Sequence, residues 1–149
     1  MTVSAVMPRK DPARQRVVVL GTIGHDAHIV GSSVLRIALE DAGFKVIFLG
    51  AVVPAQEFID AARESAADAI LVSSLYGMAR IDCADFGAKC QEAGLGHVKR
   101  YLGGILVTDP EAWEETEKIF KDFGFDRVYP PQTKTDVAIA DLRADLNIA

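Results

Sequence analysis

Five short apolar runs, each followed by a stretch of helical period, limit what this chain can fold into more than any other feature. Strands are expected at residues 16–22, 45–49, 69–73, 99–102 and 127–129, and helices at 29–42, 54–65, 82–93, 111–123 and 136–146. The first run, Val17-Val18-Val19-Leu20, is continuous rather than alternating, as in a parallel strand covered on both faces. Strands that alternate with helices in this way predict an α/β fold, a doubly wound five-stranded parallel sheet.

Right-handed crossovers make the flavodoxin-like (Rossmann-type) order 2-1-3-4-5 the expected one, with its crevice between strands one and three. Val30, Val34, Ile37 and Ala38 share one face of the first helix, which Gly43 stops. Pro54 suits the first turn of the second helix, whose inner face is Phe58, Ile59 and Ala62. Asp109-Pro110 leads into the fourth helix, and the last carries Val137, Ile139, Ala140 and Leu142. Trp113, Phe120 and Phe123 recur at helical spacing, as core or interface residues do.

The chain has 149 residues, half of them apolar, which is enough for one sizeable core and one domain. Residues 1–15, with Pro8, Arg9, Lys10, Asp11, Pro12 and Arg14, lack apolar periodicity and read as a flexible lead-in to a domain at 16–149. A net charge of −5, from 16 basic and 21 acidic residues, offers no basic patch for nucleic acid or an anionic membrane. The apolar runs fall short of a bilayer span and no signal-peptide core opens the chain, so a cytoplasmic location is expected. Cys83 and Cys90, seven apart on one expected helix, match neither a zinc clip nor a redox pair and read as reduced thiols.

The topology aims three stretches at the carboxyl rim of the sheet, where such folds bind ligands. The first is the loop Gly24-His25-Asp26-Ala27-His28-Ile29-Val30-Gly31; an imidazole two positions after a carboxylate can present a metal ligand. The second is Ser73-Ser74-Leu75 at the end of strand three, where a serine alone is usually a turn or cap. The third is Gly103-Gly104, either a turn that needs positive φ or a place where a bulky ligand lies against the backbone. A two-histidine, one-carboxylate iron site from His25, Asp26 and His28 would need a facial geometry that one short loop hardly reaches. A flavin site would want a hydroxyl-rich loop after strand one, and a signalling receiver an aspartate where Ser73 and Ser74 stand. His97, beside Gly96, reads as an exposed loop residue.

Asp26-x-His28-x-x-Gly31, then Ser73-x-Leu75, then Gly103-Gly104, at these separations, resembles the fingerprint of base-off, histidine-on cobalamin-binding domains. Ser73-Ser74-Leu75-Tyr76-Gly77, Ile81-Asp82-Cys83, Glu92-Ala93-Gly94-Leu95-Gly96 and Gly124-Phe125-Asp126-Arg127-Val128 resemble the small subunits of glutamate mutase (methylaspartate mutase). The likeness runs from Arg16 to the carboxyl terminus; Met78-Ala79 and Pro131-Gln132-Thr133 depart from the family's usual residues.

The resemblance implies that His28 binds the cobalt of adenosylcobalamin (coenzyme B12) from below. Asp26 would accept the proton on the other imidazole nitrogen. The displaced nucleotide tail would enter a slot beside the sheet past Gly31. Ser73 would hydrogen-bond its benzimidazole, Leu75 would pack on it, and Gly103 and Gly104 would let it lie against the main chain. His25, Ala27, Ile29, Ser74 and Ile105 complete the cofactor-binding set that the resemblance implies, with His25 open as a spectator or a competitor for Asp26.

The nine arginines are scattered over helices and tails, with no cluster that would hold an amino-acid substrate's carboxylates. The resemblance assigns that task, and all groups acting directly on substrate, to a larger TIM-barrel catalytic subunit that interconverts L-glutamate and threo-3-methylaspartate by radical chemistry. A corrinoid carrier of a methyltransferase system is the alternative, usually with a helical cap before strand one. A cobalamin-based sensor, usually with an attached effector or cap, is a third possibility.

Overall fold

A computed structural model describes residues 14–24, 30–74, 79–104, 113–130 and 133–148. Its elements are β1 (Val17–Ile23), α1 (Val30–Asp41), β2 (Lys45–Val53), α2 (Ala55–Ser65), β3 (Ala69–Ser74) and α3 (Ala79–Asp82). Then follow α4 (Phe86–Glu92), β4 (Lys99–Gly104), α5 (Trp113–Asp122), β5 (Arg127–Val128) and α6 (Thr135–Asp145). The strands form one sheet in the order β2-β1-β3-β4-β5, every pair parallel, as the alternation predicts.

Because side chains alternate across a strand, the sheet feeds two separate cores. Val19, Ile70, Val72 and Leu102 pack under α2, α4 and α5, where Phe86 stacks on Phe125 at 5.0 Å and meets the edge of Phe58 at 6.2 Å. Val18, Leu20, Ala69, Leu71 and Tyr101 face the other way, onto Leu39 of α1 and Ile139 and Leu142 of α6.

Several elements differ from the sequence expectation. The helix expected at 82–93 is broken into α3 and α4 by a turn with Asp85 at φ 63°. The restart lets Gly87 lie against the end of α5: its N–H donates to Phe123 O at 2.8 Å, and a Cβ there would come within 2.6 Å of Gly124 Cα. β2 runs on to Val53 through register shifts opposite Gly21 and Ile23, with Gly50 and Val52 at φ 83° and 58°. Pro54 caps α2 rather than starting it, while Phe58, Ile59 and Ala62 are its buried face as expected.

On α1, two residues of the expected apolar face are turned outward, Val34 at 53% and Ile37 at 60% exposure, whereas Ala38 packs against the core as expected, and Ser32 and Leu39 are buried. A polar residue facing inward is invisible to hydropathy. On α6, similarly, Val137 and Ala140 are exposed and Ala138 joins Ile139 and Leu142 in the interior. Of the lead-in, Arg14 and Gln15 are described, and Arg14 ion-pairs with Asp68; residues 1–13 lie outside the described residues. Phe120 is buried and meets Phe123 edge to face at 5.7 Å, Trp113 packs against the same core, and Cys83 and Cys90 are free, buried thiols.

Candidate functional site

A slot opens at the carboxyl end of the α1/α6 face because side chains shrink along the strands. Leu20, Leu71 and Tyr101 lie side by side in register, and two residues further on the row becomes Thr22, Ser73 and Gly103. The space left beneath α1 and α6 is about 190 Å³, floored by Leu20 and Leu71, walled by Tyr101 and Tyr129, and reached by Ser32, Ser73 and Gly103.

The paired glycines serve different ends. Among the described residues, a Cβ at Gly103 would find only Tyr129 within 4 Å, at 3.8 Å from its Cβ, and no clash with them requires glycine here. Gly104 sits at φ +103°, and a Cβ there would lie 2.0 Å from Ser74 O; its own fold demands glycine. Of the serines, Ser73 lines the slot, whereas Ser74 is fully buried and is not part of its lining.

Gly24 ends β1 with its N–H donating to Val53 O at 2.8 Å. Its φ is +78°, and a Cβ there would meet the Asp82 carboxylate at 2.2 Å. On the far side of the loop, the Ser32 hydroxyl of α1 lies 3.2 Å from that of Thr22, both buried. His25, Asp26, Ala27, His28, Ile29, Leu75 and Ile105 lie outside the described residues; Gly31 falls within α1. Among the described residues no group of three His, Cys, Asp or Glu side chains could hold a metal ion.

A polar network not anticipated from sequence backs the slot. Tyr129 donates to Asp141 at 2.6 Å, Tyr101 donates to Asp145, and the Arg127 guanidinium binds Asp145 at 2.8 and 2.9 Å. Arg127 also reaches Asp141 at 3.5 Å, and the two tyrosine rings meet edge to face at 5.8 Å. Arg127 and the Tyr101 hydroxyl hold the Asp145 carboxyl down at about 2. Burial, with these carboxylates beside them, pushes both tyrosines up. The sequence signal was the i, i+4 pair Asp141 and Asp145 on the side of α6 that also carries Ala138.

His97 is exposed, as expected. Burial, with Asp82 adding to it, pushes the Cys83 thiol up to about 12, so it stays a neutral core residue.

The B12 binding domain family matches residues 16–140, so this parallel α/β chain is a B12-binding domain. The crystal structure of a cobalamin-binding protein from Desulfitobacterium hafniense superposes with a TM-score of 0.74 at 22% identity, over 89% of this chain and 60% of that one. The glutamate mutase sigma subunit of Clostridium tetani is 50% identical over 134 residues, 90% of this chain and 98% of its own length. Sigma subunit 2 of Haloarcula marismortui is 51% identical over 131 residues, 88% of each chain. The chain belongs to the family of glutamate mutase sigma subunits.

Proposed function

We propose that this chain is the cofactor-binding subunit of a glutamate mutase, an isomerase that interconverts L-glutamate and threo-3-methylaspartate with a larger catalytic subunit of TIM-barrel type. The observation that carries this is the row Leu20, Leu71, Tyr101 giving way to Ser73 and Gly103, which opens a slot that Ser32 of α1 also lines. An apolar floor, aromatic walls and a few hydroxyls suit a flat heteroaromatic base on a polar tail, so the residues present fit a displaced cobalamin nucleotide. Near full-length likeness to sigma subunits supports the mutase over a methyl-carrying corrinoid protein.

Adenosylcobalamin, when bound, supplies a cobalt–carbon bond that breaks homolytically to start the rearrangement. His28 would hold the cobalt, and Asp26 would accept the proton on its other imidazole nitrogen, which would fix the tautomer and raise ligand basicity. Ser73 offers a hydroxyl to the base, Gly103 leaves its path open, and Leu75 packs on it. His25, Ala27, Ile29, Gly31, Ser74, Gly104 and Ile105 shape the surroundings, Ser74 and Gly104 through the backbone they hold in place. No helix among the described residues is long and apolar enough to cross a membrane, and the proposed setting is the cytoplasm.

The test is titration with adenosylcobalamin, then an isomerase assay on L-glutamate after adding the catalytic subunit. His28→Ala abolishes tight binding, and Asp26→Asn weakens it roughly 10- to 100-fold. Unaltered affinity in His28→Ala refutes the ligand assignment.

A further inference from the structure

One wall of the slot is a side chain whose free end is tied from outside. Tyr129, just past β5, stands across the opening from Gly103: a Cβ on that glycine would lie 3.8 Å from the tyrosine's Cβ and 4.0 Å from its Cδ2. The ring also meets Tyr101 edge to face at 5.8 Å. Its hydroxyl donates to Asp141 Oδ2 at 2.6 Å, and Asp141 lies outside the lining, one turn beyond Ala138, which lines the slot from the same helix. Arg127 fixes that carboxylate in turn, with Nη1 3.5 Å from Asp141 Oδ1 while Nε and Nη2 hold Asp145. Burial and the carboxylate beside it push the Tyr129 hydroxyl up, so it stays a donor.

We propose that Asp141 is a positioning residue for the slot: by accepting from Tyr129 it keeps the ring standing as a wall and out of the space beside Gly103. A tyrosine ring is placed by two torsions, and a bond at its tip selects one rotamer from the few that the backbone allows. Released, the ring can turn into the gap that the glycine leaves. A base that enters a gap already open displaces nothing and orders little, so it binds more tightly. The inference deepens the reading of the slot as the seat of the cofactor's nucleotide base and rests on it; it does not depend on the cobalt ligand.

The full chain is titrated with α-ribazole, the ribosylated dimethylbenzimidazole of the tail, which carries neither cobalt nor corrin, and separately with adenosylcobalamin. Wild type is compared with Asp141→Ala, Asp141→Asn, Tyr129→Phe and the Tyr129→Phe/Asp141→Ala double variant. Asp141→Ala raises the dissociation constant for α-ribazole about fivefold and weakens the near-ultraviolet circular dichroism of tyrosine in the cofactor-free protein. Asparagine still presents an oxygen to the phenol, so Asp141→Asn stays within about twofold of wild type. Tyr129→Phe matches Asp141→Ala, and the double variant is no worse than either, because each substitution removes the same bond. Should Asp141→Ala fail to fold, Tyr129→Phe and Asp141→Asn carry the test.

Unchanged α-ribazole affinity in Asp141→Ala overturns the proposal, even with a lower melting temperature, which marks a bond that only ties α6 to the sheet. So do additive losses in the double variant, and so does a loss in Asp141→Asn as large as in Asp141→Ala, which assigns the effect to the charge beside Arg127. Failure of wild type to bind α-ribazole while it still binds adenosylcobalamin overturns the reading of the slot as well. Binding by wild type with no change in the variants overturns the positioning role alone.

Discussion

The two faces of the sheet are built from the same strands, yet on one the large apolar rows run further towards the carboxyl end than on the other. Under α2, α4 and α5, Ile23, Val72 and Leu102 continue the apolar rows, and Phe58, Phe86 and Phe125 close the space above them. Under α1 and α6 the rows stop at Leu20, Leu71 and Tyr101, and small residues take over. Burial stabilises on both faces, and among the described residues the slot lies on the second. A parallel sheet can thus divide its work by face, with stability concentrated on one side and the site on the other.

The largest effect that this contrast predicts is on the filled face. Phe86→Ala costs about 3–5 kcal/mol in urea unfolding, through lost transfer energy and a cavity, and leaves cobalamin affinity of the folded protein unchanged. A matching loss of affinity would mean that the faces are not separate. Next come the glycines. Gly104→Ala costs about 2 kcal/mol or more, because φ +103° and the Ser74 carbonyl exclude a Cβ. Gly103→Ala changes stability by about 0.5 kcal/mol or less and weakens adenosylcobalamin about tenfold, since its methyl group enters the slot. Calorimetry and titration of both variants check the pair; equal loss of stability in the two would erase the distinction.

The network behind the slot predicts a smaller, pH-dependent effect. Asp145 is depressed from 3.8 to about 2 in the folded chain, so its contribution is full above about pH 4 and is lost as pH falls towards 2. Arg127 is 39% exposed, and with that screening the contribution is about 1 kcal/mol. Asp145→Asn lacks it, so the stability difference between variant and wild type shrinks on acidification; urea midpoints at pH 6, 4 and 2.5 would show this. The smallest effect is expected at α1: Val34→Thr and Ile37→Gln change stability by about 0.5 kcal/mol or less, because both residues are exposed.

That last expectation marks where sequence reasoning stopped. Strand order, the inner face of α2 and the position of Ser73 and Gly103 on one rim were legible, because period and glycine spacing carry them directly. The inward face of α1 was not: Ser32 is turned in by a hydroxyl on β1, a partner that no helical periodicity reveals. Nor was the break between α3 and α4, which answers to Gly124 on a different element. The two roles of Gly103 and Gly104 look alike in sequence and separate only when the register sets one against Ser74 and the other beside open space.

The most direct measurement is electron paramagnetic resonance of the cob(II)alamin-loaded protein grown with nitrogen-15 histidine, with His28→Ala as the control. Hyperfine splitting from one labelled nitrogen that disappears in the variant is the predicted result. Splitting from the unlabelled nitrogen of benzimidazole, unchanged by the label and by the substitution, would contradict it and leave the slot without its proposed occupant.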